Sequence, residues 1–263
     1  MRYPLLSIIT INQNNADGLT RTLASLEEWR LPDVEFVFVD GASTDGSLTV
    51  ANRFYRKEEV RSEPDRGIYH AMNKGILRAT GKMMLFLNSG DCLLPGSPDI
   101  VLPVLRISQA DIDTFGTRIR WICNDNAIEE FNPGLAALPR FTLPHQSTFF
   151  RREVVLQHDG YNEAFLVAGD RDLILRLYVS GVNIRHYFPL IADFYSGGVS
   201  SSVVTGFEDL WIDVRQGRRS MLRLLLGWLR RPPGRDVSRF FSLALQHLIW
   251  NVRKHRRLSP NKP

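Results

Sequence analysis

The sequence predicts an α/β protein: a mostly parallel central sheet flanked by helices, followed by a basic helical C-terminal tail. Three observations carry this expectation. Over about the first sixty residues, strand-like runs alternate with helical patterns, the rhythm of a doubly wound sheet. The run Met83-Met84-Leu85-Phe86-Leu87 is apolar without alternation, as in a strand covered on both faces. The candidate strands also end on polar clusters, Asn12 to Asn15, Asp40 to Ser47 and Asn88 to Asp91, which suits the carboxyl edge of such a sheet, where ligands bind.

Taken in order, Ser7 to Ile11 is the first strand. A helix follows, with Asp17 as N-cap and Leu19, Leu23 and Leu26 at helical spacing. Glu35 to Val39 is the second strand, and Ser43 or Thr44 caps a helix running to Tyr55. Ser62 to Tyr69 reads as an extended segment and turn, then a helix from about His70 to Arg78, closed by Gly81 as a C′ glycine. The apolar strand at Met83 comes next. Beyond Leu94 the residues Pro95, Gly96 and Pro98 mark a turn, and Ile100 to Leu105 reads as a short helix or strand. Thr114 to Cys123 is a strand, Asn124-Asp125-Asn126 a hairpin turn into another, and Asn132 to Leu143 a loop. Leu143 to Phe150 returns as a short strand before a helix near Arg151 to Gln157. Gly169-Asp170-Arg171-Asp172-Leu173 opens a helix to about Val179, Val182 to Phe188 is a further strand, and Gly197 to Ser200 a loop.

At 263 residues the chain can bury a full core. The expected organisation is a catalytic domain over 1–205, with halves at about 1–95 and 96–205, and a basic amphipathic segment over 206–263. The formal charge of +5 is uneven: beyond Arg215 the chain is crowded with arginine and lysine, against Asp236 as the one acid. Large apolar groups such as Leu224, Trp228, Phe240 and Trp250 are interleaved there. That mixture reads either as a helix on an anionic membrane surface or as a helix packed on the domain with its arginines in solvent. No stacking-aromatic motif accompanies the basic tail, so no nucleic-acid partner is expected. Cys92 and Cys123 offer neither metal spacing nor a disulfide framework. With no signal peptide or membrane-spanning run expected, the predicted location is cytoplasmic.

Four segments stand in order: Ser7-Ile8-Ile9-Thr10 with Asn14; Val39-Asp40-Gly41 with Ser43, Asp45 and Gly46; Glu63-Pro64-Asp65 with Gly67-Ile68-Tyr69; and Ala71-Met72-Asn73-Lys74-Gly75. With the segments that follow along the chain, they resemble the family 2 glycosyltransferases of the GT-A fold, and among them the bacterial exopolysaccharide, capsule, lipopolysaccharide or colanic acid-type enzymes. Phe86-Leu87-Asn88-Ser89-Gly90-Asp91 resembles the strand with the metal-binding aspartate motif. His145-Gln146-Ser147-Thr148, Gly160-Tyr161 and Gly169-Asp170-Arg171-Asp172 resemble the acceptor side. The chain departs from the family in having Asn88 and Gly90 where aspartates are frequent, and His70 where an acid is usual.

The resemblance implies an inverting, metal-dependent transfer from a nucleoside diphosphate sugar of the UDP or GDP type to a polysaccharide or lipid-linked oligosaccharide acceptor, at the cytoplasmic face of the inner membrane. Asp40 could accept hydrogen bonds from the base or ribose, with Thr10 and Asn14 on the same edge; alternatively it caps the following turn. Asp65, Asn73, Lys74 and Arg66 belong to the donor side, where Lys74 and Arg66 either meet the diphosphate or lie in solvent. Asp91 is the candidate ligand for Mg²⁺ or Mn²⁺, hard cations held by carboxylates plus substrate phosphates, with Asn88 a neutral helper. His145 sits near the acceptor or the metal. Asp170 is the candidate general base, with Asp172 as rival; both acids also suit a helix N-terminus. A sugar-nucleotide-binding protein without transferase activity remains an alternative. Sugar-phosphate nucleotidyltransferases share the architecture, but Asn12 to Asn15 is not their glycine-rich basic loop. No G-x-G-x-x-G follows the first strand, which disfavours a dinucleotide oxidoreductase.

Overall fold

The structure is a computed structural model that describes residues 3–56, 59–121, 127–138, 142–196, 208–209 and 211–213. Its centre is one eight-stranded sheet. Strands β1 (Leu6–Asn12) and β2 (Val34–Asp40) pair in parallel from Leu6 opposite Val34 to Asn12 opposite Asp40. Strand β3 (Met83–Phe86) pairs in parallel on the other side of β1. The remaining strands are β4 (Cys92–Leu93), β5 (Ile112–Trp121), β6 (Ala127–Phe131), β7 (Thr148–Arg151) and β8 (Ile184–Ser196), in the order β2-β1-β3-β7-β5-β8-β4 with β6 on β5. β7 is antiparallel to both its neighbours, while β4 and β6 run against β8 and β5, so most strands share one direction. The helices are α1 (Ala16–Ser25), α2 (Ser47–Phe54), α3 (Ile68–Arg78), α4 (Ser97–Ile107), α5 (Arg152–Gln157) and α6 (Gly169–Val179).

Two apolar layers explain why the strands lack alternation. Ile9, Ile11, Met84 and Phe86 face α3 and α6, packing with Met72, Ile76, Leu173 and Leu177. Their sequence neighbours Leu6, Ile8, Met83 and Leu85 face the opposite way, packing with Leu19 and Leu23 of α1 and Val101 and Leu105 of α4. Successive side chains of a strand point to opposite faces, so a strand buried on both must be apolar throughout. Each fully buried Leu, Ile, Phe or Met contributes about 1.5–3 kcal/mol.

Local chemistry moves several element ends. Asn15, not Asp17, caps α1, its side chain accepting from the Gly18 amide at 3.1 Å. Ser43 does not cap α2, because its hydroxyl is taken up by Asp40; the Ser47 amide is met instead by Asp45 at 2.9 Å. Helix α3 ends at Arg78 with Ala79 extended, so Gly81 is no C′ glycine; a Cβ there would lie 2.6 Å from Ser7 Oγ, and the residue lets β3 approach β1. The segment after Leu94 is a full helix, α4, with Pro98 in its first turn and Pro103 inside it. Strand β8 runs on to Ser196, well beyond Phe188, because β5 pairs with it as far as Trp121.

The Asn124 hairpin turn, Cys123, the Gly197 to Ser200 loop and the basic residues from Arg215 onward lie outside the described residues. Among the described residues no helix is long and apolar enough to cross a membrane. Residues on the tail side of the expected 205/206 boundary nevertheless pack with the sheet: Ile212 is 1% exposed inside the α3–α6 layer, and Trp211 lies against it.

Candidate active site

The carboxyl edge of β1, β3 and β2 gathers most of the predicted residues, and their surroundings divide them. Asp40, at the end of β2, is fully buried. Its Oδ1 accepts from Asn12 Nδ2 at 3.0 Å and Ser43 Oγ at 2.6 Å, and its Oδ2 from the Ser43 amide at 2.9 Å and Ser62 Oγ at 2.5 Å. Burial alone would push this carboxyl up, but the donors from Ser43, Ser62 and Asn12 outweigh it and hold the group below the usual range. Four donors leave it little capacity for a nucleotide. Asn14, in a left-handed conformation at φ 49°, joins the same loop: its amide donates to Ser43 Oγ at 2.8 Å and its Oδ1 accepts from the Thr44 amide at 2.7 Å. Thr10 is fully buried within β1, two residues short of the edge, with its hydroxyl beside Tyr55.

The donor-side cluster lies one strand over. Asp65 carries Lys74 Nζ at 2.6 Å and His70 Nδ1 at 2.9 Å on one oxygen. Its other oxygen faces Gly41, where a Cβ would sit 3.2 Å away, so that glycine keeps the approach open. Lys74 also pairs with Glu63 at 3.0 Å. Burial works against the Lys74 ammonium, yet Asp65 and Glu63 more than offset it, and the group is held above its ordinary value. Arg66 pairs with Glu163 at 2.8 Å. Asn73 is spent on the chain: its Nδ2 donates to Tyr161 O at 2.9 Å and its Oδ1 accepts from the Tyr161 amide at 2.9 Å, tying α3 to the acceptor-side segment. His70, standing where an acid is usual, therefore works as a partner of Asp65.

The turn between β3 and β4 is different. Asp91 is 7% exposed and burial pushes its carboxyl up to about 6, against the charge of His145 and one N–H, that of Tyr195. His145 stands between the two halves of the site. One ring nitrogen lies 3.3 Å from Asn88 Nδ2, and the other 3.6 Å from Asp170 Oδ2. Burial disfavours the imidazolium, but the nearby Asp170 carboxylate and the charge of Asp91 prevail and raise it above its ordinary value. Asp170 occupies the first turn of α6, where the macrodipole favours negative charge, and its side chain keeps 22% exposure.

Asp172 is separated from Asp170 by its partner. It is 3% exposed and pairs with Arg176 at 2.8 Å, one helical turn on. Arg176 in turn donates to the carbonyls of His158 and Gly160, both at 2.6 Å. Asp172 thus braces α6 against the loop after α5, and Asp170 lies beside His145.

Asp91 and Asn88 offer the kinds of oxygen donor that a hard cation takes. Among the described residues no three of His, Cys, Asp and Glu converge on one point. Asp91 is a poorly donated carboxylate, and the buried Asn88 Oδ1 has no hydrogen-bond partner. One carboxylate and one amide oxygen suit a hard divalent cation whose other ligands are phosphate oxygens and water.

The fold is of the GT-A type. Residues 7–154 match the model of Glycosyl transferase family 2, and the chain belongs to that family. A PGL/p-HBAD biosynthesis glycosyltransferase of Mycobacterium bovis is 28% identical over 249 residues, 87% of this chain and 92% of its own length. An uncharacterized glycosyltransferase of Mycobacterium tuberculosis is 31% identical over 208 residues, 75% of this chain and 78% of its own. Among solved structures, S. aureus TarS 1–349 in complex with UDP-GlcNAc has a TM-score of 0.65 at 18% identity, matching 80% of this chain; the chain spans 65% of that one. The mannosyltransferase PcManGT from Pyrobaculum calidifontis, in complex with GDP-Man and Mn²⁺, has a TM-score of 0.62 at 15% identity, over 95% of this chain and 72% of that one.

Sequence reasoning missed Asn12, Ser43 and Ser62 as the donors around Asp40, Arg176 as the partner of Asp172, and Glu208, whose carboxylate meets the loop before α6. Asn12 and Ser43 lay inside motifs already singled out, and Arg176 stands four residues from Asp172 on the predicted helix. Glu208 had no local signal, being about forty residues from the amides it binds.

Proposed function

We propose that the protein is an inverting glycosyltransferase that moves a sugar from a UDP- or GDP-linked donor to a hydroxyl of a growing, lipid-linked polysaccharide, with Mg²⁺ or Mn²⁺ assisting. The observation that supports this reading is His145, which has Asn88, in the turn before Asp91, near one ring nitrogen and Asp170 near the other. The names of structural neighbours support the donor class: TarS is seen with UDP-GlcNAc and PcManGT with GDP-Man and Mn²⁺.

In this reading Asp170 accepts the proton of the acceptor hydroxyl as its oxygen bonds to the anomeric carbon, and the bond from that carbon to the diphosphate oxygen breaks. One displacement inverts the anomeric configuration, and the nucleoside diphosphate leaves with the bonding pair. Asp91 and Asn88 would hold the cation, which when bound supplies charge neutralisation on the leaving diphosphate. His145 orients Asp170 and screens it from Asp91. Asp40 and Asn14 act by shaping the loop beside the nucleotide, while Asp65, next to Gly41, is the better placed donor-side acceptor. Work at the cytoplasmic face of the inner membrane, with the basic tail as the contact, belongs to the same reading.

The test is to supply UDP-GlcNAc, UDP-glucose and GDP-mannose with Mn²⁺ and follow donor hydrolysis and transfer to a lipid-linked acceptor. Turnover that falls about 10²- to 10⁴-fold in Asp170→Asn, with nucleotide binding retained, is the expected result. Full activity of that variant would remove Asp170 as base, and tight nucleotide binding without turnover of any donor would favour the binding-protein alternative.

A further inference from the structure

Past β8 the chain returns to the start of α6, and the contacts there are reciprocal. The Glu208 carboxylate, 2% exposed, accepts three successive backbone amides: Leu166 at 2.7 Å on one oxygen, Val167 at 2.9 Å and Ala168 at 2.7 Å on the other. Ala168 is the N-cap residue of α6, two before Asp170. From the other side, Arg171 in the first turn of α6 reaches back to the same segment. Its Nη1 donates to the Asp209 carbonyl at 2.9 Å and Nη2 to Asp213 Oδ1 at 2.8 Å. Ile212, buried in the layer that α6 completes, anchors the segment between these polar contacts.

Residues 166–171 are therefore gripped on both sides of Asp170. Three adjacent amides converging on one carboxylate is a strong, geometrically demanding arrangement, because charge-assisted hydrogen bonds are about twice as strong as neutral ones. No local propensity holds this loop. Ala168 makes no side-chain cap on α6. A further fixed point is the Tyr69 hydroxyl, which donates to the Val167 carbonyl, with the Tyr69 ring closely packed under Gly169.

The geometry points to Glu208 as a positioning residue for the glycosyl transfer proposed above: together with Arg171 it clamps the loop that aims the Asp170 carboxylate at His145 and the acceptor. The inference rests on Asp170 being the base. It also assigns a role to the segment after β8 that does not depend on a membrane: the chain beyond the sheet completes the site from within.

Glu208→Gln is the informative variant, because it keeps shape and volume but turns one oxygen into an N–H donor facing backbone donors. The clamp predicts a kcat lower by about 10- to 100-fold, a fraction of what a general base contributes, with little change in donor KM or in nucleotide affinity. It also predicts non-additivity: Glu208→Gln in an Asp170→Asn background costs no further activity, since both act through one carboxylate. A purely structural role would lower nucleotide affinity alongside kcat and add to the loss in the double variant, and that result overturns the proposal. Hydrogen exchange gives a reading independent of catalysis. The amides of Leu166, Val167 and Ala168 should exchange faster in Glu208→Gln while those of β1 and β3 stay protected. If wild type turns over no donor but this local signature is present, the assigned reaction fails and the clamp stands; unchanged exchange at all three amides removes the clamp itself.

Discussion

The end of β2 and the turn between β3 and β4 each present a buried aspartate, and the two have opposite electrostatics. Asp40 is surrounded by hydroxyl and amide donors from Asn12, Ser43 and Ser62, and its carboxyl is held low. Asp91 has the Tyr195 N–H and the nearby charge of His145, and burial drives it up to about 6. The lesson is that a strand-end position alone does not decide what an acid does. Where the protein saturates the carboxylate, the residue builds a loop; where burial outruns the donors, it retains an affinity that a ligand can meet.

Substitutions at the two ends should separate these roles. Asp91→Asn is expected to lower transfer about 10³-fold, the scale of several kcal/mol of lost charge stabilisation, measured as kcat with Mn²⁺ present. Asp40→Asn should instead act on folding. Placing an NH₂ group among four donors is expected to cost about 2–4 kcal/mol of unfolding free energy, read from urea denaturation, with the loop from Gly41 to Gly46 losing exchange protection.

The pH dependence of stability sharpens the contrast. Asp91 has a folded value above its unfolded one, so its cost is absent below the ordinary carboxylate range, grows as pH rises and is complete above about 6. Without added cation, Asp91→Asn should therefore be more stable than wild type by up to about 3 kcal/mol at pH 8, with the gap closing below pH 4. A difference that stays constant with pH would contradict this assignment of the carboxylate. The smallest effect is expected at the other rival pair: Asp172→Asn, which leaves Arg176 without its ion pair, should cost about 1–3 kcal/mol of stability, with kcat per folded molecule within a few-fold of wild type. Asp170→Asn should show the reverse pattern.

Most of the fold was legible because it rests on periodicity. The doubly buried strands Ile8-Ile9 and Met83 to Leu87 can be read from the absence of alternation, and the early strand–helix rhythm needs no long-range information. Element ends were less legible where side chains compete for the same backbone: Asn15 displaces Asp17 as a cap, and Ser43 serves Asp40 in place of α2. In the site, the residue types at the strand ends were visible, but their hydrogen-bond partners were not. Ser43, three residues on, gives Asp40 two local donors, but the others arrive from afar, Ser62 from twenty-two residues away and Asn12 from twenty-eight. Asp170 and Asp172 likewise separate only when Arg176 is seen to bind the His158 and Gly160 carbonyls. The Glu208 contact, spanning about forty residues, is beyond any spacing argument.

Asp91 and Asn88, in the turn after β3, are where a cation is expected to join the donor diphosphate to the protein. The measurement is the calorimetric affinity for UDP or GDP, whichever binds wild type more tightly, with and without Mn²⁺, in wild type, Asp91→Asn and Asp170→Asn. The predicted result is that Mn²⁺ strengthens nucleotide binding at least tenfold in wild type and in Asp170→Asn, and leaves it unchanged in Asp91→Asn. An undiminished Mn²⁺ effect in Asp91→Asn would contradict the account.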